Sequence, residues 1–211
     1  MIAQPQPSQV YSPEKYLDFE TASEQRHEFL DGEVLLRIGG TPNHNQILLN
    51  IAGALNFELQ RKPYRVFAAD QRLWIPQRNI YTYPDVMVIH GELDYQQGRK
   101  DTLMNPLVMV EVLSKSTQNY DRGETFVAYR TIPSFQEYVL VDQYTCHVVH
   151  YAKTDEKSWI FKEYDQLEEQ VSTVTLPWAI ALTDIYEKVE FEKVEFEPAE
   201  PELESEATPN N

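Results

Sequence analysis

Cysteine is nearly absent from this 211-residue chain. Cys146 stands alone, so no intramolecular disulfide can form. A reducing setting, the cytoplasm, is the expectation. Glycine is scarce as well: there are seven, none in the spacing of a loop that cradles phosphate. No apolar run approaches the length that crosses a bilayer, and residues 1–9 lack the basic region and apolar core of a signal peptide. No membrane partner is expected. Positive charge is in deficit too, with 18 Lys and Arg against 34 Asp and Glu, a net of −16. Residues 187–211 hold nine Glu and two Lys, which is −7 of that total and leaves −9 on the body. An acidic body argues against nonspecific coating of DNA, which depends on Lys and Arg neutralising phosphates. It leaves room for a local basic cleft or an acidic metal site.

What the chain does contain reads as one α/β domain over residues 12–186. A flexible N-terminus, 1–11, precedes it, and an acidic tail, 187–211, follows with the composition of disorder. Ser12-Pro13 and Thr41-Pro42 each pair a cap residue with proline in the first helical position. They predict helices to about Glu20 and about Arg61. In the second, His44, Leu48, Ile51 and Leu55 share one face. Asp31-Gly32 between two apolar runs predicts a hairpin over 26–38. Strands are expected over 64–69, 73–75 and 84–89, then a long exposed loop over 90–105. Leu107–Leu113 is apolar on both parities apart from Glu111, the pattern of a central strand covered on both faces. A helix over 119–130 and strands over 136–141, 146–151 and 158–164 complete the domain, the last three as an antiparallel meander. The tail carries one short repeat, Glu187-Lys188-Val189-Glu190-Phe191, copied once in the next five residues.

Two carboxylates stand out. Asp85 opens one apolar strand, and Glu111 sits inside another. Burying them is costly without a compensating cation or hydrogen bonds. Neighbouring strands would bring them together, where a divalent cation relieves their repulsion. Mg²⁺ takes a few carboxylate oxygens and leaves the rest of its shell to water and phosphate. Such an ion can activate water for phosphodiester hydrolysis.

Pro84-Asp85, Glu111-Val112-Leu113-Ser114-Lys115-Ser116-Thr117, Tyr120-Asp121-Arg122-Gly123-Glu124 and Glu137-Tyr138-Val139-Leu140-Val141-Asp142 together resemble the Uma-two family. These are endonucleases of the PD-(D/E)XK superfamily. His27-Glu28-Phe29-Leu30-Asp31-Gly32-Glu33 and His44 extend the likeness, which covers roughly residues 12–185. The resemblance implies a restriction-endonuclease-like core: a mixed central β-sheet flanked by helices, with extra antiparallel strands. It implies an endonuclease that uses Mg²⁺ or Mn²⁺ on DNA, and a homodimer suited to cutting two strands. Asp85 and Glu111 would ligate the metal, with the Val112 carbonyl as a further ligand. The lysine of an E-x-K motif would fall at Leu113. The family's lysine in the following helix would fall at Thr125. Lys115 is then the nearest substitute: it shares the parity of Glu111 if the strand persists, and otherwise points to solvent beyond the strand end.

Several residues keep two readings. Glu28 is a supplementary acid or an ordinary hairpin residue. His44 approaches the cleft or serves near a helix cap. Asp121-Arg122 tune a helix start, or position a phosphate or Glu111. Tyr129 reads as a core aromatic. Glu111 itself could form a buried ion pair with Arg72 or Arg122. His147 and His150 face opposite sides of a strand, so they do not form a metal pair. The alternative to a nuclease is a catalytically degenerate member of the fold that binds nucleic acid or protein.

Overall fold

A computed structural model describes residues 10–114 and 121–191, with the backbone alone at 121 and 122. Helix α1 (Pro13–Ala22) starts where the Ser12 side chain accepts from the Lys15 N–H. The hairpin β1 (His27–Leu30) and β2 (Glu33–Leu36) turns on Asp31 and Gly32, at φ +46° and +108°. Positive φ at both central residues matches the twist of a two-residue hairpin, which is why Asp-Gly occurs there. Helix α2 (Pro42–Glu58) is capped by Thr41, and its Ile47, Ile51 and Leu55 are buried at fourfold spacing.

The strands then follow as β3 (Tyr64–Ala68), β4 (Arg72–Ile75), β5 (Ile80–Thr82), β6 (Val86–His90), β7 (Thr102–Leu103) and β8 (Val108–Leu113). A π-helical turn, Asp121–Thr125, leads into the one-turn helix α3 (Phe126–Tyr129). Strands β9 (Glu137–Asp142), β10 (Val148–Lys153) and β11 (Trp159–Tyr164) form the expected meander, and β12 (Gln170–Ser172), β13 (Ala179–Ala181) and helix α4 (Leu182–Ile185) close the domain.

One sheet has the order β11-β10-β9-β8-β6-β3, with β8 and β9 parallel and the other pairs antiparallel. A second, β2-β1-β5-β4-β7, includes a parallel β4–β7 pair, and β12 pairs with β13. The first sheet separates two apolar layers. Val86, Val88, Val108, Val110, Val112, Val139 and Val141 join α2 on one face. Met87, Ile89, Met109, Leu113, Tyr138 and Leu140 join Ala128 and Tyr129 on the other. All six residues of β8 are buried, as the two-sided apolar pattern predicts.

The sequence reading needs correction in four places. Residues 90–105 are not simply an exposed loop: Thr102 and Leu103 are fully buried in β7, and Tyr95 bridges to Leu103. Polar composition hid this, because a two-residue strand carries no periodic signal. The helix expected over 119–130 is, in its described part, a π turn followed by a single α turn. The short strands β5, β12 and β13 gave no readable pattern. Residues 187–191, assigned to the tail, pack on the domain: Val189 and Phe191 meet the α2 layer, and Asn43 Nδ2 donates to the Glu190 carbonyl at 2.8 Å. Residues 192–211, including the second copy of the repeat, lie outside the described residues. No described helix is long and apolar enough to cross a membrane.

The β12–β13 segment is tied to the sheet by Glu137, which is fully buried. Its carboxylate meets His150 Nε2 at 2.6 Å and accepts from the amides of Val174 and Thr175, at 3.0 and 2.6 Å. Burial pushes this carboxyl up, but His150, the Thr175 hydroxyl and the two amides together outweigh it, so its pKa lies below the ordinary 4.5. A depressed pKa contributes stability above the unfolded value, and that contribution is lost as pH falls through the folded one. Glu137→Gln removes the charge that His150 and the amides face, so unfolding should become easier by about 3 kcal/mol. Urea denaturation at neutral pH measures it, and the gap from wild type should narrow on acidification below pH 4.5.

Candidate active site

Strand parity decides which face carries the carboxylates. Val86 and Val88 point to α2 while Met87 and Ile89 point to Tyr129, so Asp85, one residue before β6, shares the Tyr129 face. In β8, Met109 and Leu113 point to that face, and Glu111 between them does the same. Strands β6 and β8 are antiparallel with Val86 opposite Val110, so the next pair out is Asp85 and Glu111. Both are buried at one end of the sheet.

The two acids hold one another's backbones. The Asp85 N–H donates to Glu111 Oε2 at 3.0 Å, and the Val112 N–H donates to Asp85 Oδ2 at 2.9 Å. Tyr129 Oη donates to Glu111 Oε1 at 2.7 Å. Burial, then the Glu111 charge, raises the Tyr129 pKa well above 10, so it stays a proton donor. The core aromatic of the sequence reading is therefore also a ligand of Glu111.

Asp85 faces a guanidinium and an imidazole. Arg37 Nη2 stands 3.0 Å from Oδ1, and His44 Nε2 stands 3.1 Å from Oδ2. His44 thus reaches the cleft from the first turn of α2. Its Nδ1 is buried without a hydrogen-bond partner. Gly40 lies over it, where a Cβ would stand 2.6 Å from Nδ1, so the ring seats only because residue 40 is glycine. Arg37 follows β2 and was not among the residues singled out from sequence. Its Nη1 donates to the Ala69 carbonyl at 2.7 Å, and its guanidinium lies 5.9 Å from the centre of the Tyr83 ring. Ala69 sits at φ +59°, a left-handed conformation that costs energy for an L residue, and its N–H donates to the Asp85 carbonyl at 2.9 Å. No local pattern announces Arg37 or Ala69; their roles arise from contacts across 48 and 16 residues of chain.

The other candidates divide. Glu28 accepts from Thr82 Oγ1 at 2.7 Å, and its charge is felt at Tyr129, so it stands beside the site rather than in the clamp. Leu113, where the E-x-K lysine would fall, is buried in the apolar layer. Thr125 is buried too, with its hydroxyl unpartnered. Lys115 and the side chains of Asp121 and Arg122 lie outside the described residues. The pairing of Glu111 with Arg72 is not formed: Arg72 donates to Thr102 Oγ1 and Asp101 Oδ2, at 3.0 and 2.6 Å. His147 and His150 engage separate acids, Glu163 and Glu137.

Among the described residues no three His, Cys, Asp or Glu side chains converge as a metal cluster. The donor set is a pair of hard carboxylates, a set that suits Mg²⁺ with water and phosphate completing its shell. Tyr129→Phe takes a buried donor from Glu111 and should cost about 1–3 kcal/mol in urea denaturation. An unchanged midpoint would show that the hydroxyl contributes nothing to the clamp.

A family model described as "Putative restriction endonuclease" (Uma2) matches residues 13–183. Two uncharacterized proteins of Synechocystis sp. (strain ATCC 27184 / PCC 6803 / Kazusa) are similar in sequence. The protein sll1609 is 36% identical over 156 residues, 74% of this chain and 88% of its own length. The protein slr1290 is 31% identical over 182 residues, 85% of this chain and 93% of its own. The fold matches the crystal structure of "a putative nuclease belonging to DUF820" from Anabaena variabilis ATCC 29413. The TM-score is 0.69 at 15% identity, over 83% of this chain and 97% of that one.

Proposed function

The chain belongs to the Uma2 family, and on that premise we propose that it is a divalent-metal-dependent endonuclease that hydrolyses DNA phosphodiester bonds. The observation that carries the reading is the crossed pair, Asp85 N–H to Glu111 and Val112 N–H to Asp85, which places two buried carboxylates side by side at a sheet end. Asp85 and Glu111 are the residues that would hold Mg²⁺ or Mn²⁺, with the Val112 carbonyl beside them. Bound there, the ion supplies Lewis acidity, which lowers the pKa of water and offsets charge developing on the phosphate.

The chain's own residues do the positioning. Val112 N–H, His44 and Arg37 fix the Asp85 carboxylate, and Tyr129 and Asp85 N–H fix Glu111. Fixed donors and acceptors need no reorganisation when charge develops, which is how such sites lower a barrier. We take the active unit as a cytoplasmic homodimer, one site for each strand of a duplex.

Thr125 favours a second reading. A buried, uncharged side chain with an unpartnered hydroxyl stands where the family's lysine would be, as in a member of the fold that binds without cutting. Plasmid nicking in Mn²⁺ separates the two. Wild type should nick, Asp85→Asn and Glu111→Gln should lose about 100-fold or more in rate, and chelation should stop the reaction. Absence of nicking by folded wild-type protein would leave the binding reading.

A further inference from the structure

We propose that Arg37 is the phosphate contact of this site, the side chain that faces the nucleic-acid backbone where it meets Asp85; the identity of the ligand rests on the nuclease reading. The need follows from charge. The body carries −9 before the tail is counted, and the site adds two adjacent carboxylates at the point a phosphodiester must approach. Like charges at contact distance repel by several kcal/mol at the dielectric of a protein surface, and a divalent ion shared by the two acids does no more than balance them, so an approaching anion gains from a further, fixed cation.

Arg37 meets that requirement in three ways. It is held in place from two sides, by Ala69 O and Asp85 Oδ1, at 2.7 and 3.0 Å, with the Tyr83 ring beneath it. A quarter of its side chain is still exposed, against 6% for Asp85, so solvent reaches the cation more readily than the acid it pairs with. A guanidinium has five N–H donors in a planar fork, and the contacts to Ala69 and Asp85 use one on each terminal nitrogen. The remaining donors match the two non-bridging oxygens of a phosphodiester, a geometry that guanidinium suits better than an ammonium. The other partner of Asp85 is placed differently: His44 is 14% exposed, and Gly40 packs against its second ring nitrogen.

The test is fluorescence anisotropy of a short labelled DNA duplex with Ca²⁺, across a salt series, using the full chain. Arg37→Gln should weaken binding about tenfold and lower the slope of log affinity against log salt by about one, as loss of a single phosphate contact requires. Arg37→Lys should recover part of the affinity and the full slope. Lys157→Ala, in the exposed β10–β11 turn at the opposite end of the sheet, should match wild type. Asp85 keeps His44 and the Val112 amide in either Arg37 variant, so both should fold, and thermal unfolding checks it. Equal affinity and slope in Arg37→Gln and wild type, or a slope that falls as far in Lys157→Ala, overturns the proposal. Mn²⁺ nicking run alongside separates it from the nuclease reading. Wild type that binds through Arg37 but never nicks removes that reading and keeps Arg37. Nicking and binding indifferent to Arg37 do the reverse. Folded wild type that binds no duplex overturns both.

Discussion

Asp85 and Glu111 fasten their strands by crossed hydrogen bonds, each carboxylate accepting an N–H from the other's strand. The paired ladder of β6 and β8 ends at Val86 and Val110, one step short of them. Past that step the backbone amides would be left without ladder partners in a buried place, at a cost of about 1–3 kcal/mol each. The two side chains supply the missing acceptors. The carboxylates thereby extend the sheet by one pair, and the same extension brings two acids together. Structure and chemistry at this end of the sheet are one arrangement.

Buried carboxylates demand compensation, and the surroundings of the clamp can be read as that demand met from several directions. Tyr129 comes from α3 on one face, and His44 from the N-terminus of α2. Arg37 comes from the end of β2 in the other sheet. The α2 entry is itself anchored at this end of the sheet: Thr41 Oγ1 donates to Gln143, whose Nε2 donates to the Leu113 carbonyl at 2.7 Å. Removing one donor leaves the others, so the cost of each change falls on orientation as well as on stability.

A second polar network stiffens the stretch leading into Asp85. Tyr83 donates to Glu20 of α1 at 2.8 Å, and Glu20 also meets His27 Nδ1 at 3.0 Å. Burial, partly offset by the Arg72 charge, pushes the Tyr83 hydroxyl up to about 12, so it remains a donor. Arg72 continues the network to Thr102 and Asp101, which explains why β7 forms from two residues in a polar stretch. The ring of Tyr83 lies under Arg37, so the helix α1 and the strand β7 both brace the floor on which that cation rests.

The sequence by itself determined the elements with strong local signals. Ser12-Pro13 and Thr41-Pro42 start helices, Asp31-Gly32 turns a hairpin, and the two-sided apolar run 107–113 becomes a central strand, because caps, turns and burial patterns act over a few residues. It also marked Asp85 and Glu111, since a carboxylate in an apolar strand stands out without any coordinates. The tertiary structure alone decided what surrounds them. Arg37, Ala69 and the Tyr129 hydroxyl reach the pair from distant parts of the chain, and Arg72, an equally plausible counter-ion on paper, turns to Asp101 instead. Strand parity can say that two residues share a face, but which cation arrives there depends on how two sheets pack, and that packing is set by the whole core.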